Sequence, residues 1–378
     1  MPLSLPADPP TARSLTAVVP HLLAALDGAD SWFPPARSAV ILLVDGLGRS
    51  NLTARAGHAR FLSQRMAKKD VARTVFPATT AAALTSLLTG EYPGRHGLVG
   101  YSVRIPGTDL TPNQLQGWET DGLDPLTWQR STPLFETAAR SGRPCFVVSK
   151  SRYADTGFTR AIQRGATFVP AASIAERVER AAALAAEHPG ALIYAYVPEL
   201  DIAGHARGWQ SDAWTADLEV VDAAARSLEA ALRPEDAAIV TADHGMVDVP
   251  RHRQVLFGLD DDLAEDVRVV AGEPRMLHLY ADDGRADAVL ARWRAAEGSR
   301  AWVMSQGEAI DAGLFGPVVD DEVRPRIGDV LVAARAAIAY YDARETDTKP
   351  QNMVGQHGSL TDDERVVPLI RLGAFARV

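Results

Sequence analysis

Continuous apolar runs separated by amphipathic stretches dominate the middle of this chain. Four runs stand out: SAVILLVDG (38–46), PCFVVSK (144–150), GALIYAYV (190–197) and DAAIVTADHG (236–245). Apolar runs without polar alternation are typical of parallel strands buried on both faces. Between the last three runs lie two stretches with helical periodicity, SIAERVERAAALAAE (173–187) and SDAWTADLEVVDAAARSLEAAL (211–232). The alternation predicts an α/β fold with a central, mostly parallel sheet flanked by helices.

The rest of the chain divides into an arm and an insertion. Residues 1–37 are rich in proline and contain one amphipathic stretch, at 11–27, which predicts an N-terminal arm on the core. After residue 250 the pattern changes to shorter segments: RMLHLYA (275–281), ADAVLARWRAA (286–296), EAIDAGLFG (308–316) and GDVLVAARAAIAYY (328–341). We expect residues 251–345 to form a small α+β subdomain, inserted into a core made of residues 38–250 and 346–378.

One short predicted helix begins with two threonines that are candidates for catalysis. The stretch FPATTAAALTSLLTG (76–90) predicts a helix with a threonine hydroxyl at its N-cap and Gly90 just past its end. A capped core helix explains this pattern without any chemistry. A helix N-terminus is also a good site for an anion, so Thr79 or Thr80 is a candidate for chemistry as well.

Composition and charge narrow the function classes. The chain has 378 residues, of which 47% are hydrophobic and 23% charged, and its formal net charge is -9. This charge, without a basic stripe, argues against binding to a nucleic-acid polymer. Cys145 is the only cysteine, so a disulfide framework and a cysteine-based zinc site are excluded. Neither a signal peptide nor an apolar membrane span is apparent, and we expect a cytoplasmic location.

Candidate metal ligands follow the predicted strands. Ligands of open α/β sheets bind at the carboxyl ends of the strands. Acidic residues follow three of the predicted strands, and three histidines lie in acidic or glycine-rich contexts: Asp45, Asp201, Asp243, His205, His244 and His357. The remaining histidines read as surface or structural residues, and we expect His96 to bond loop backbone rather than a metal.

These ligand types indicate a metal-dependent phosphoryl transfer. Carboxylate and neutral imidazole are the ligands that zinc prefers when thiolates are absent. Six of them are enough for two ions, and two ions stabilise the attacking and leaving oxygens of a phosphoryl transfer. A threonine hydroxyl at a helix N-terminus would then serve as the nucleophile.

Five motifs together resemble the alkaline phosphatase superfamily. They are VDGLG, FPATTAAALTSLLTGEYPGRHG, YVPELDIAGH, TADHGM and GQHGSL, and they span roughly residues 38–250 and the segment around 357. The branch most similar to this chain is that of the nucleotide pyrophosphatase/phosphodiesterases, with bacterial phosphonoacetate hydrolases nearby. The resemblance implies an alkaline phosphatase-like core and two zinc ions, or manganese in their place.

The resemblance also implies a role for each ligand. Asp201, His205 and His357 would hold the first ion. The second would be held by Asp45, Asp243, His244 and the nucleophile. The family's nucleophile stands three residues after the Phe-Pro pair, which is Thr80 here, and Thr79 falls on a variable position as a cap or bystander.

Four positions suggest how the substrate is bound. Where the family places an asparagine that donates to a phosphoryl oxygen, this chain has Tyr101. Tyr196 matches a tyrosine that flanks the base in the nucleotide branch. Lys150 and Arg152 lie roughly where phosphonoacetate hydrolases use two lysines for the substrate carboxylate. Tyr101 leaves the preference among diesters, monoesters and phosphonates open.

We therefore expect a dinuclear zinc phosphodiesterase or nucleotide pyrophosphatase that acts on a small phosphorylated substrate through a phospho-threonine intermediate. Hydrolysis of a C–P bond is the first alternative. A phosphomutase is a weaker one, because the insertion is short for that class. A non-catalytic binding protein is disfavoured by the complete ligand set. The sequence does not define the oligomeric state or the physiological substrate.

Overall fold

The computed structural model describes residues 5–376, so residues 1–4 of the predicted arm and 377–378 of the predicted core lie outside the described residues. The strands are β1 (Ala39–Val44), β2 (Val71–Arg73), β3 (Cys145–Ser149), β4 (Thr167–Pro170), β5 (Leu192–Val197), β6 (Ala237–Thr241), β7 (Val247–Asp248), β8 (Gln254–Phe257), β9 (Val267–Glu273), β10 (Met276–Ala281), β11 (Ala301–Ser305), β12 (Val330–Ala334), β13 (Ala339–Asp342), β14 (Gly355–Gln356) and β15 (Val366–Gly373). The α-helices are α1 (Val18–Leu26), α2 (Arg49–Ala54), α3 (Arg60–Arg65), α4 (Thr80–Thr89), α5 (Pro93–His96), α6 (Leu134–Arg140), α7 (Gly157–Ile162), α8 (Ile174–Glu187), α9 (Glu199–Arg207), α10 (Asp212–Ala231), α11 (Ala286–Glu297), α12 (Gln306–Asp311) and α13 (Asp362–Arg365). Among these helices, none combines the length and apolar character that crossing a bilayer requires.

The predicted α/β fold with a mostly parallel central sheet is confirmed. The strand order is β2–β15–β6–β1–β5–β3–β4. The strands from β6 to β4 are parallel, and β15 runs antiparallel to both β6 and β2. In the centre, Val44 of β1 pairs with Val197 of β5, and Leu43 pairs with Thr241 of β6. The carboxyl ends of these three strands therefore meet at one edge of the sheet.

Hydrophobic burial and helix caps explain the core elements. Every residue of β1 is buried, as its uninterrupted apolar run predicts. The helices α8 and α10 pack on each other, and α8 also contacts β1, β3 and β5. The Ser173 hydroxyl accepts a hydrogen bond from the backbone N–H of Glu176 at the start of α8, and Ser211 caps α10 in the same way. These contacts fix the helical layer against the sheet.

A second, antiparallel sheet lies in the region predicted as an insertion. Its order is β11–β12–β10–β9, and α11 and α12 pack against it. Part of its apolar surface forms a separate core that includes Phe257, Trp293 and Tyr340. Another part packs with Phe76 and Val99 from the first half of the chain. The division of the chain at residues 251 and 345 stays a prediction.

The described part of the N-terminal segment packs on the main core. A short 3₁₀ turn, Leu15–Ala17, leads into α1. Leu15, Val18 and Leu22 are fully buried in the core of the main sheet. The boundary of the predicted arm at residue 37 also stays a prediction.

Candidate active site

Three aspartates converge where the central strands end. Asp45 directly follows β1, Asp243 lies two residues after β6, and Asp201 lies in the first turn of α9, just after β5. Gly46 permits this convergence, because its φ is +74° and a Cβ there would lie 3.2 Å from the Cβ of Asp201. The edge position of all three side chains is what the strand pattern predicts.

Three histidines join the aspartates, each held by a backbone carbonyl. The Nδ1 atom of His205 lies 2.7 Å from the oxygen of Gly355, and that of His357 lies 2.9 Å from the oxygen of Ala78. The Nδ1 atom of His244 lies 3.1 Å from the oxygen of Gly245. Because a carbonyl only accepts, each Nδ1 carries a proton, which leaves Nε2 as the atom of each ring that can bind a metal. This is the arrangement that metal-binding histidines usually have.

The ligand atoms form two overlapping groups that share one histidine. Asp45, Asp243 and His244 make up one group, and Asp201, His244 and His357 make up the other. The Nε2 atom of His244 lies 3.4 Å from Asp45 Oδ1 and 3.4 Å from Asp243 Oδ2. The Nε2 atom of His205 lies 3.3 Å from Asp201 Oδ1. All six predicted ligands are thus brought together, although His244 borders both groups rather than one.

One oxygen of each aspartate lacks a partner. Asp45 Oδ1, Asp201 Oδ1 and Asp243 Oδ2 are buried without a hydrogen-bond donor among the described residues. The other oxygen of Asp243 accepts hydrogen bonds from the backbone N–H groups of Gly46 and His244, at 3.2 and 3.0 Å. Buried polar atoms are nearly always satisfied, so three such oxygens facing imidazole nitrogens indicate a cation site.

The electrostatics of the cluster agree with a cation site. Burial raises the pKa of Asp45 well above its usual range, and the carboxylates of Asp243 and Asp201 raise it further. Burial lowers the pKa of His357 well below its usual range, and the imidazoles of His244 and His205 lower it further. A bound dication would supply the positive charge that offsets these crowded carboxylates.

The threonine pair lies at the opening of this cluster. Thr80 is the first residue of α4, and its Oγ1 lies 3.1 Å from His244 Nε2. Thr79 occupies the N-cap position, but its hydroxyl makes no capping hydrogen bond and is buried without a partner among residues 5–376. The helix and its end at Gly90, where φ is +73°, agree with the sequence prediction. The prediction that the Thr79 hydroxyl caps α4 is wrong, because that hydroxyl accepts no hydrogen bond from the first turn.

The family model for type I phosphodiesterase/nucleotide pyrophosphatase matches residues 39–360 of this sequence. The chain belongs to this phosphodiesterase family. Comparison with curated proteins gives no match. The resemblance of the five motifs to the nucleotide pyrophosphatase/phosphodiesterase branch is therefore confirmed.

Solved structures share the fold of this phosphodiesterase family member. An inactive murine ectonucleotide pyrophosphatase/phosphodiesterase 5 in complex with AMP is 18% identical, with a TM-score of 0.70 over 89% of this chain and 88% of that chain. Phosphonoacetate hydrolase from Sinorhizobium meliloti, in complex with phosphonoacetate, is 18% identical, with a TM-score of 0.68 over 90% and 91% of the two chains. At this identity the likeness shows the fold alone.

Small-molecule sites are typically cavities of about 300–1,000 Å³, and the cavity above the ligand cluster of this chain has a volume of about 530 Å³. Asp45, Thr80 and Asp201 line it on one side. Tyr196 and Arg152, two of the predicted substrate-binding residues, line it as well. The predicted nucleophile therefore opens onto a space larger than a phosphoryl group.

Tyr196 has a role that the sequence did not predict. Its hydroxyl donates a hydrogen bond to Asp45 Oδ2, which orients that carboxylate and leaves Oδ1 free. Its ring also makes an edge contact with Tyr153, with centroids 5.8 Å apart. The predicted stacking of Tyr196 on a substrate base stays a prediction.

Lys150 and Tyr101 do not line this cavity. The ammonium of Lys150 pairs with Glu199 Oε1 at 2.8 Å and lines a neighbouring groove rather than the cavity. Tyr101 is 37% exposed, its side chain bonds with Asn113, and it is not among the described residues that line the cavity. The substrate contacts of these two side chains stay predictions.

Arg152 is the predicted substrate-binding cation that lines the cavity. Its guanidinium donates to the Tyr153 hydroxyl at 2.8 Å and lies over the ring of that residue. Within residues 5–376 it forms no ion pair with a carboxylate. Arg152 therefore presents an uncompensated positive charge to the cavity.

The sequence reasoning missed an ionic support beneath the site. Arg177 of α8 is fully buried, pairs with Glu199 and donates to the backbone oxygen of Tyr196 at 2.7 Å. It thereby joins the end of β5 to the start of α9, which carries Asp201. An arginine in an amphipathic helix is usually predicted to lie on the surface. The only sequence signal for this ion pair was Glu199, the acidic residue two positions before Asp201.

The remaining buried histidines are structural. His96 accepts a hydrogen bond from the backbone N–H of Leu98 and lies 2.9 Å from the Ser86 hydroxyl, as expected for a residue that bonds loop backbone. His278 lies 3.0 Å from the backbone oxygen of Val99. Burial lowers the pKa of His96 to about 3 and that of His278 to about 4, so both are neutral.

Proposed function

We propose that this protein is a dinuclear zinc hydrolase of phosphodiesters or related pyrophosphates, with Thr80 as its nucleophile. The observation that carries the proposal is the position of the Thr80 hydroxyl. It lies at the N-terminus of α4, 3.1 Å from a histidine that borders both ligand groups, and it opens onto the cavity. Membership of the phosphodiesterase family supports the same reaction class.

The ligand residues fit two zinc ions. Three carboxylate oxygens without a partner among the described residues, and three imidazoles whose Nδ1 atoms donate to backbone carbonyls, are the ligands that zinc takes without cysteine. Asp201, His205 and His357 would hold one ion, and Asp45, Asp243, His244 and Thr80 would hold the other. When bound, the ions would supply Lewis-acid stabilisation of the phosphoryl oxygens and favour the ionised hydroxyl of Thr80.

The positions of these residues suggest the order of the reaction steps. The N-terminus of α4 orients the phosphoryl group by its free N–H groups and its dipole. The ionised Oγ1 atom of Thr80 forms a bond to phosphorus as the bond to one leaving oxygen breaks, which gives a phospho-threonine that keeps the second ester group of a diester substrate. A water molecule then attacks phosphorus, the bond to Thr80 breaks, and the hydroxyl is restored.

Arg152 favours a second candidate, hydrolysis of the C–P bond of a carboxylated phosphonate. Its guanidinium lines the cavity without an acidic partner, so it could pair with a substrate carboxylate. The pairing of Lys150 with Glu199 leaves this candidate with one cation instead of two. A small phosphorylated substrate is common to both candidates, and a cytoplasmic location stays a proposal.

A metal titration combined with a substrate panel tests the proposal. We expect about two zinc ions per chain by elemental analysis, and loss of activity on chelation that zinc restores. The panel compares bis-p-nitrophenyl phosphate, p-nitrophenyl phosphate, a nucleoside phosphodiester and phosphonoacetate, and we expect the diesters to react fastest. His205→Ala should lower the zinc content, whereas the exposed His58→Ala should not. Hydrolysis that continues without metal would contradict the proposal, and fastest cleavage of phosphonoacetate would establish the second candidate.

A further inference from the structure

A buried ion pair joins the second sheet to the segment that follows His357. Arg275 lies in the turn between β9 and β10, Glu364 lies in α13, and both side chains are fully buried. The guanidinium donates to both oxygens of the carboxylate, from Nε to Oε1 at 2.7 Å and from Nη2 to Oε2 at 2.8 Å. Its Nη1 atom donates to the backbone oxygens of Ala336 and Ile338, at 2.8 and 2.9 Å. These bonds anchor the pair to the chain just beyond β12.

Glu364 in turn binds both loops that carry central histidines of the ligand cluster. Its Oε1 atom also accepts a hydrogen bond from the backbone N–H of Ser359 at 2.9 Å, two residues after His357. Its backbone oxygen accepts one from the backbone N–H of Gly245 at 2.8 Å, directly after His244. One residue of α13 therefore contacts the two histidine loops at once.

The packing around these loops is tight. A Cβ on Gly245 would lie 2.0 Å from the backbone oxygen of Asp363, so α13 touches this loop directly. Gly358 pairs with Ala78 in an antiparallel bridge, and the N–H of Ala78 donates to the oxygen of Gly358 at 3.0 Å. Because Ala78 lies two residues before Thr80, a shift of the loop after His357 would also displace the start of α4.

A buried ion pair is a poor source of stability, because both charges lose their water. Its bidentate hydrogen bonds do fix the relative positions of the two side chains closely. A metal site needs such fixed supports, because small displacements of its ligands weaken binding.

We propose that the Arg275–Glu364 pair is a positioning element of the active site, which holds the loops of His244 and His357 in the arrangement that brings their ligand atoms together. The pair acts through the backbone N–H groups of Ser359 and Gly245, so both of its members are positioning residues. This inference rests on the proposed function, since it takes the two histidines as metal ligands.

Zinc affinity of the zinc-loaded full chain, measured by competition with a chelator, is the first test. Arg275→Met should lower this affinity about 10-fold or more. Arg37→Met is the matched control, because Arg37 also forms a bidentate pair, with the buried Asp236 at 3.1 Å, and donates to backbone oxygens. That pair lies before β1 and β6, at the edge of the sheet opposite the site, so its loss should lower the melting temperature and leave zinc affinity unchanged. Unchanged affinity in Arg275→Met, or equal losses in both variants, would overturn the inference.

Hydrogen exchange of the protein as purified is the second test and does not depend on zinc. Arg275→Lys keeps the charge beside Glu364 but not the bidentate geometry, so it should fold even if Arg275→Met does not. We expect the N–H groups of Ser359 and Gly245 to exchange about 10-fold faster in this variant, because their acceptor is held less firmly. Mass spectrometry with fragmentation measures these rates, and Arg37→Met should leave them unchanged.

The outcomes separate this inference from the proposed function. Exchange at Ser359 and Gly245 that is unchanged in Arg275→Lys would overturn the inference. Exchange of these groups in the unmodified protein as fast as that of the exposed 3₁₀ turn Arg251–Arg253 would overturn it as well, whether or not a variant folds. Absence of zinc binding by the unmodified protein would overturn the proposed function, and the exchange rates would still decide whether the pair holds the two loops.

Discussion

Thr79 and Thr80 are adjacent in sequence but have different surroundings. The hydroxyl of Thr80 lies 3.1 Å from an imidazole of the ligand cluster. That of Thr79 is buried, makes no hydrogen bond within the described part of the chain and does not cap the helix. Thr79 has extended backbone just before the helix, with φ -128° and ψ 147°, whereas Thr80 is the first helical residue, so the two side chains leave the backbone in different directions.

Replacement of each threonine by valine separates the nucleophile from its neighbour. Thr80→Val should lower kcat by about 1000-fold or more, because the reacting hydroxyl is removed. Thr79→Val should retain most of the activity, and its melting temperature should be unchanged or higher, because an unpaired buried hydroxyl becomes a methyl group. Steady-state rates and thermal melts of both variants check these expectations. Near-normal turnover by Thr80→Val would contradict the assignment.

Tyr196→Phe tests the orientation of Asp45. Loss of the hydrogen bond to Asp45 Oδ2 should weaken zinc affinity about 10- to 100-fold, as is usual when a residue that orients a metal ligand is replaced. Competition with a chelator measures this affinity. Tyr194→Phe is the control, because its hydroxyl makes no bond to Asp45 and its replacement should leave zinc affinity unchanged. Equal affinity in all three proteins would show that the Asp45 carboxylate is held without Tyr196.

At the scale of elements, the acidic residues at the strand ends could be predicted from the sequence, whereas the contacts that orient the ligands could not. β1, β5 and β6 are fully or almost fully buried, so their sequences are continuous apolar runs, and the aspartates after them were found from that pattern. The carbonyls that orient His205 and His357 lie 150 and 279 residues away along the chain, and backbone groups leave no mark in the sequence. Lys150 pairs with Glu199, and the Tyr101 side chain bonds with Asn113. The pattern of hydrophobic and polar residues does not predict such side-chain pairs.

The support provided by Arg177 can be tested at this scale. Arg177→Met removes one of the two cationic partners of Glu199, which keeps Lys150, and a donor to the Tyr196 carbonyl, so we expect a stability loss of about 2 kcal/mol and a melting temperature lower by about 2–3 °C. Arg180→Met on the same helix is the control, because Arg180 is exposed and should tolerate the change. Calorimetric melts of the two variants check the expectation. Indistinguishable melting temperatures would show that this ion pair does not hold α8 to the site.

At the scale of the whole molecule, one buried carboxyl joins the second sheet to the active-site region. Glu273, at the end of β9, accepts a hydrogen bond from the backbone N–H of Tyr101 at 2.9 Å. It also packs against Gly358, next to His357, where φ is +127° and a Cβ would lie 2.5 Å from Glu273 Cγ. Burial raises the pKa of Glu273 from 4.5 to about 8, and the carboxylate of Glu364 adds to the shift.

This carboxyl makes stability depend on pH in a defined direction. Since the folded-state pKa is raised, the folded chain holds a proton that the unfolded chain releases, and stability falls as the pH rises from about 4.5 to about 8. Glu273→Gln removes that dependence. We expect the melting temperature of the variant, relative to the unmodified protein, to be higher at pH 9 than at pH 5. A difference that stays constant across this range would contradict the buried, protonated state of Glu273.

The central claim is that the Thr80 hydroxyl forms a covalent bond to phosphorus, and trapping that bond tests it most directly. The zinc-loaded protein would be mixed with a slowly hydrolysed phosphodiester, quenched in acid, digested and analysed by peptide mass spectrometry. The account predicts a phosphoryl adduct on Thr80, which lies at the start of α4 beside His244. Thr80→Val should give no adduct, and Thr79→Val should give the same adduct as the unmodified protein. An adduct on Thr79, or turnover without any adduct on Thr80 under conditions in which the first step is fast, would contradict the account.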